Sequence, residues 1–174
     1  MTDAPAVNVA LGCDFSTKAV HLALVSATAV EAMRVVPLRP REPSLSIGPL
    51  SVALAELCRL HPTTLVIERP FVNVRKDRGT DYLTPILLGR VWGMVETLAL
   101  QEGYRVLCMT ANEWRSMAGV TRLQSRKDAK REAVRLVALE YGYAARDDNE
   151  AEAILMGRVG LALHRRAVLV EATS

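Results

Sequence analysis

Residues 63–68, T-T-L-V-I-E between Pro62 and Pro70, limit what this chain can fold into more than any other segment. A short β-branched run closed at both ends by proline reads as a buried central strand. It follows an amphipathic stretch at 44–61, where Leu50, Ala53, Leu54 and Leu57 recur at helical spacing while Ser51 and Glu56 fall off that face. A strand reached through a helical crossover runs parallel to the strand before it, and parallel strands are covered on both faces. The expectation is an α/β protein.

The remaining pattern agrees. Runs at 7–15, 18–26 and 30–38 are β-like, and the connections Phe15-Ser16-Thr17 and Ala27-Thr28-Ala29 suit an antiparallel three-stranded meander. Pro37, Pro40 and Pro43 then interrupt regular structure. Further on, 81–102 is a long apolar helix stopped by Gly103, and 104–109 is another strand. Segment 111–121 holds a short helix bearing Trp114 and a glycine turn. Ser125 is placed to cap a helix over 127–141 that Gly142 ends, and the last helix starts at Asp147 or Asp148 and runs to about Arg165. The order β-β-β-α-β-α-β-α-α predicts a mixed sheet of about five strands, three in an antiparallel meander and two parallel, flanked by helices. With no internal repeat and no long linker, residues 1–174 are expected to form one domain.

Composition narrows the classes. Half the residues are hydrophobic and 24% are charged, so the chain is globular, and its few aromatics leave an aliphatic core. A formal charge of +3 permits nucleic-acid binding without arguing for it. Cys13, Cys58 and Cys108 are far apart, each in an apolar run, with no zinc or disulfide spacing, and are expected as free thiols. No secretory leader pattern is visible, and no apolar run is expected to reach the roughly 20 residues that span a bilayer, so the expected location is cytoplasmic, in a bacterial or virus-infected cell. His21, His61 and His164 lack metal or triad spacing and are assigned surface or core roles. Neither a G-x-S-x-G elbow nor a G-x-x-x-x-G-K loop is present.

The acids carry the chemistry. Asp14 ends the first strand and Glu68 ends the central one, and an unpaired acid at either place is costly. Each on its own is equally well read as a turn cap or an arginine partner. The third group, Asp147-Asp148-Asn149-Glu150-Ala151-Glu152, opens the last helix. Acids in a first turn gain about 0.3–1 kcal/mol each from the helix dipole. Asp148 and Glu152, however, stand i, i+4 on one face, where like charges repel unless a cation lies between them. Hard oxygen donors suit Mg²⁺, and a pair of such ions is a device for cleaving phosphodiesters.

These residues resemble the RuvC-type Holliday-junction resolvases of the ribonuclease H-like superfamily. L-G-C-D-F-S-T-K at 11–18 is similar to that family's first-strand motif, and I-E-R-P-F at 67–71 to its glutamate strand. The basic segment at 114–131 and D-D-N-E-A-E-A-I at 147–154 resemble its lysine-bearing loop and closing acidic helix. The resemblance implies Asp14, Glu68, Asp148 and Glu152 as catalytic metal ligands, with Asp147 and Glu150 in reserve. It further implies Mg²⁺, with Mn²⁺ as substitute, Phe71 against bases at a junction, and Lys127 or Lys130 beside the cleaved phosphate. The family usually has Asp where Glu152 stands, and many members place the partner ligand at the position held here by Asn149; others would use Asp148.

Arg115, Arg122, Arg126, Lys127, Lys130, Arg131 and Arg135 crowd one segment, opposed by Asp128 and Glu132. A solvated helix face is the plain reading. Beside the acids, phosphate contact is favoured for Arg115, Arg122, Arg126, Lys127, Lys130 and Arg131, joined by Arg75, Lys76 and Arg78. Trp114 reads as packing, and Trp92 as packing or dimer interface. The combined expectation is a Mg²⁺-dependent endonuclease on branched DNA, dimeric through helix 81–102. The rivals are a broader DNA or RNA nuclease of the same fold, an inactive junction-binding module, and a sugar-kinase-like phosphate binder, which would need a second domain.

Overall fold

The computed structural model describes residues 8–39, 42–60, 64–70, 83–120 and 125–172. The elements are β1 (Ala10–Phe15), β2 (Ala19–Val25), β3 (Val30–Pro37), a 3-10 turn (Pro43–Ser46), α1 (Ile47–Cys58), β4 (Thr64–Glu68), α2 (Leu83–Gln101), β5 (Arg105–Met109), α3 (Ala111–Met117), α4 (Arg126–Tyr141) and α5 (Asp148–Ala172). The sheet order is β3-β2-β1-β4-β5. β1, β2 and β3 form the antiparallel meander, and β4 and β5 extend it in parallel from β1. This is the expected mixed sheet.

Both hairpins of the meander use one device. Ser16 and Ser26 each donate a backbone N–H to the carbonyl three residues on (2.9 Å), while their hydroxyls accept from the two backbone N–H groups that close the turn. Serine side chains that compete for backbone partners favour such turns over continued strand.

Two helix boundaries and one expectation about length differ from the sequence reading. The run at 44–61 begins as the 3-10 turn, since Pro43 lies in its first turn, and becomes α-helical only at Ile47. The last helix continues to Ala172 instead of stopping near Arg165. At 19 residues and mean hydropathy 1.3, α2 is long and apolar enough to cross a membrane, which corrects the expectation that no run approaches that size. Leu87, Val91, Val95 and Ala99 of α2 nevertheless form one buried stripe, the last three in the core shared with the sheet, as in an amphipathic core helix.

Alternation along the strands divides the core. Leu11, Cys13, Leu22, Leu24, Leu65 and Ile67 face α1 and α2. Ala10, Ala23, Val25 and Val66 face the opposite layer of α3, α4 and α5. Residues 151–157 of α5 are all buried, because the sheet lies on one side of the helix and α4 covers another. Contact between α5 and β1 is at backbone level. A Cβ on Gly12 would lie 1.9 Å from the Ala153 carbonyl oxygen and 2.3 Å from the Gly157 nitrogen, and one on Gly157 would lie 2.7 Å from Val25 Cγ2. Glycine inside a strand marks such an approach, and here it sits two residues before Asp14.

Gly12→Ala is therefore expected to destabilise the protein by about 3 kcal/mol or more, at the upper end of overpacking costs, because the clash is with backbone. Urea denaturation of the variant measures it, and an unchanged midpoint would contradict the close packing.

Candidate active site

Asp14 shares the α5-facing side of β1 with Ala10 and Gly12. The parallel register sets Cys13 opposite Ile67, so the next step brings Asp14 beside Glu68. Glu152 arrives from the buried first turns of α5, one residue before the Ala153 that rests on Gly12. Two strand ends and a helix thus bring together three acids the sequence holds far apart.

Their proximity has an electrostatic signature. Asp14 keeps some solvent contact, yet burial and then the carboxylates of Glu152 and Glu68 push its pKa well above the usual carboxylate range. Lys130 and the Phe15 backbone N–H oppose that rise only in part. Like charges that disfavour one another's ionisation are what a divalent cation relieves.

The other acids are engaged by protein donors. Trp114 Nε1–H donates to Glu68 Oε2 (2.7 Å). Arg115 Nη2 donates to Glu152 Oε1 (2.6 Å), its guanidinium lying 5.0 Å from the centre of the Trp114 ring. Lys130 Nζ is bonded to Asp148. With these partners in place, no three metal-ligating side chains are gathered closely enough to hold an ion among the described residues. The donor set fits a hard cation by its chemistry, being carboxylate oxygen throughout, once Glu68 and Glu152 exchange partners.

The acidic start of α5 splits by role. Asp147 Oδ1 accepts the Glu150 backbone N–H (2.9 Å) and so caps the helix. Glu150 is buried and accepts from the backbone N–H (2.9 Å) and Nε (2.6 Å) of Arg146. Neither raises the Asp14 pKa, whereas Glu152 does.

The predicted basic residues also divide. Arg126, Lys127 and Arg131 are exposed at the start of α4. Arg135 is taken up by Glu132 (2.6 Å). Lys130 and Arg115 turn inward to the acids, with Lys130 rather than Lys127 acting on Asp14. Phe71, Arg75, Lys76, Arg78, Arg122 and His61 lie outside the described residues.

One contributor was missed in the sequence, and one core residue lies close by. Trp114, read only as packing, is fully buried and tethers Glu68; T-A-N-E at 110–113 is a capping box that announces α3 and so the placement of Trp114 and Arg115. His21 stands directly across from Asp14 on β2, buried, with Nε2 3.9 Å from Asp147 and Nδ1 lacking a hydrogen-bond partner among the described residues. Burial lowers its pKa, against the pull of Asp147 and Glu150.

No family model matches the chain, and no curated protein matches it by sequence. Solved structures do match. A Thermus thermophilus RuvC in complex with a Holliday junction substrate superimposes with a TM-score of 0.71 at 18% identity, covering 92% of this chain and 96% of that one. Another Thermus thermophilus RuvC structure gives 0.70 at 18% identity, covering 91% and 96%. The chain has the RuvC-type, ribonuclease H-like fold.

A carboxyl whose folded pKa is raised binds its proton more tightly in the native state than in the unfolded chain. Stability therefore falls as pH rises from the ordinary aspartate value, about 3.9, through the raised native one. Asp14→Asn is expected to remove that loss and raise the melting temperature in chelator at pH 7. A lowered melting temperature there would mean that Asp14 is not held under repulsion.

Proposed function

We propose that this chain is a divalent-metal-dependent endonuclease for branched DNA, with the four-way junction as its principal substrate. The observation that carries the reading is the convergence of Asp14, Glu68 and Glu152, close enough for two of them to raise the pKa of the third. Among the described residues Asp14 has no bonded cation and caps no helix, unlike Glu150 and Asp147. The choice of DNA is supported by the structural neighbour that is a RuvC in complex with a Holliday junction substrate.

In this reading Asp14, Glu68 and Glu152 hold Mg²⁺, with Mn²⁺ as substitute and Asp148 as the fourth acid. The ion, when bound, supplies Lewis-acid activation of water and offsets charge on the leaving oxygen of the phosphodiester. Trp114 orients Glu68 through its indole N–H, and Lys130 brings positive charge beside the acids, where a phosphate would also feel it. Arg126, Lys127 and Arg131 offer exposed charge for backbone phosphates.

Incubation with a four-way junction, linear duplex and single-stranded RNA, in Mg²⁺ and in chelator, tests this. Expected are paired nicks in the junction only, in Mg²⁺ only, lost to background in Asp14→Asn, Glu68→Gln and Glu152→Gln with junction binding kept. Cutting by Asp14→Asn at the wild-type rate would sink the assignment. Binding without cutting in any metal would favour the inactive module, a reading to which the protein donors on Glu68, Glu152 and Asp148 lend some support.

Symmetric cutting of two strands needs two sites related by a two-fold axis, which a homodimer provides. We place the contact on α2, where Ile86, Gly93 and Leu100 recur every seven residues, Ile86 and Leu100 are exposed, and a Cβ on Gly89 or Gly93 would meet nothing within 4 Å. Gly93→Leu is expected to leave the monomer folded, since leucine is the better helix former by roughly 0.8 kcal/mol or slightly less, while blocking close helix pairing. Light scattering should then report a monomer; a dimer of wild-type strength would exclude this face.

A further inference from the structure

We propose that Arg115 competes with the divalent cation for Glu152, so that loading the site requires the guanidinium to leave the carboxylate and the pair sets the affinity for metal. This rests on the metal-site reading above. Arg115 Nη2 lies 2.6 Å from Glu152 Oε1, and the two side chains are only 17% and 4% exposed. A charge-assisted bond in such a setting is strong and little screened by salt. The same oxygen cannot direct that lone pair to an ion while it accepts from the guanidinium, and two cations on one buried carboxylate repel. Lys130 on Asp148 is a weaker rival, because that pair is 28% and 33% exposed and open to solvent.

Arg115 is also only partly satisfied where it sits. Its Nε is buried without a hydrogen-bond partner among the described residues. An arginine that leaves one donor unmet in its resting contact forfeits less on departure than one whose fork is filled. The neighbouring residue completes the arrangement: Trp114 holds Glu68 while Arg115 holds Glu152, so consecutive residues of α3 occupy two acids from different elements. The capping box of Thr110 and Glu113 fixes the start of that helix. Arg115 is in this sense a positioning residue, acting through Glu152.

The test is metal binding by the full-length protein without DNA, read by calorimetric titration and thermal shift with Mg²⁺ and Mn²⁺. Arg115→Met should lower the melting temperature in chelator and bind either ion on the order of ten- to a hundredfold more tightly than wild type. A merely structural role would lower the melting temperature and leave affinity unchanged. Equal or weaker binding by the variant overturns the proposal while leaving the metal site standing. Absence of binding in both proteins, at millimolar ion, removes the metal-site reading and the proposal with it. Should Arg115→Met fail to fold, the wild type carries the test through its Arg115 Nε–H NMR signal, assigned with Arg115→Lys. That signal should shift or broaden at saturating Mg²⁺, and an unaltered signal overturns the competition.

Discussion

The contact between β1 and α5 is the constraint on which the rest of the structure depends. Gly12 permits it, since any side chain there would drive into the Ala153 carbonyl, and Gly157 answers from the helix. Because β1 pairs with both β2 and β4, a helix seated on β1 at this distance stands over three strands at once. Asp14 is two residues beyond Gly12, and Glu152 one residue before Ala153. Backbone packing therefore places two of the acids, and the β1–β4 register places the third. Little is left for flexible side chains to decide, which is what a site assembled from distant segments requires.

Such an assembly is under electrostatic load. Each acid but Asp14 has a side-chain donor: an indole for Glu68, a guanidinium for Glu152, an ammonium for Asp148. Among the described residues Asp14 is helped by a backbone N–H and the field of Lys130, and it bears the cost as a raised pKa. The pattern separates these acids from Asp147 and Glu150 nearby, whose bonds complete the helix start. On the proposed metal-site reading, a divalent cation at Asp14 is what would relieve that pressure.

What could be read in the sequence was local. Strand and helix periods, proline and glycine stops, and acids ending β-branched runs each leave a signature within a few residues, so the element order and the placing of Asp14 and Glu68 towards strand ends were legible before the fold. Partnerships were not. Glu68 and Trp114 are 46 residues apart, Glu152 and Arg115 are 37, and no spacing rule connects them. The i, i+4 pair of Asp148 and Glu152 looked like one unit because helical spacing treats the two alike. Burial distinguishes them: Glu152 is nearly sealed while Asp148 meets solvent. The delayed start of α1 escaped because Pro43 opens a 3-10 turn before the helix, and the run at 44–61 had been read as a single helix. The nearness of His21 to Asp14 escaped because a lone histidine on a strand carries no period; only the β1–β2 register sets it opposite Asp14.

The basic segment shows most clearly why charge counts mislead. As a string, 114–131 is one patch suited to phosphate. Folded, it is two populations, carried by two separate helices, α3 and α4. Arg115, on α3, is turned into the acids; Arg126, Lys127 and Arg131, on α4, stay in solvent, and Lys130 stands between them on the inner side of the same helix. Outward charges can attract a polyanion at a distance without altering the acids. Inward charges act on the acids directly. Under the proposed function, substitutions within this one segment should fall into two classes: those that weaken DNA binding in a salt-dependent way, and those that change what the carboxylates can hold.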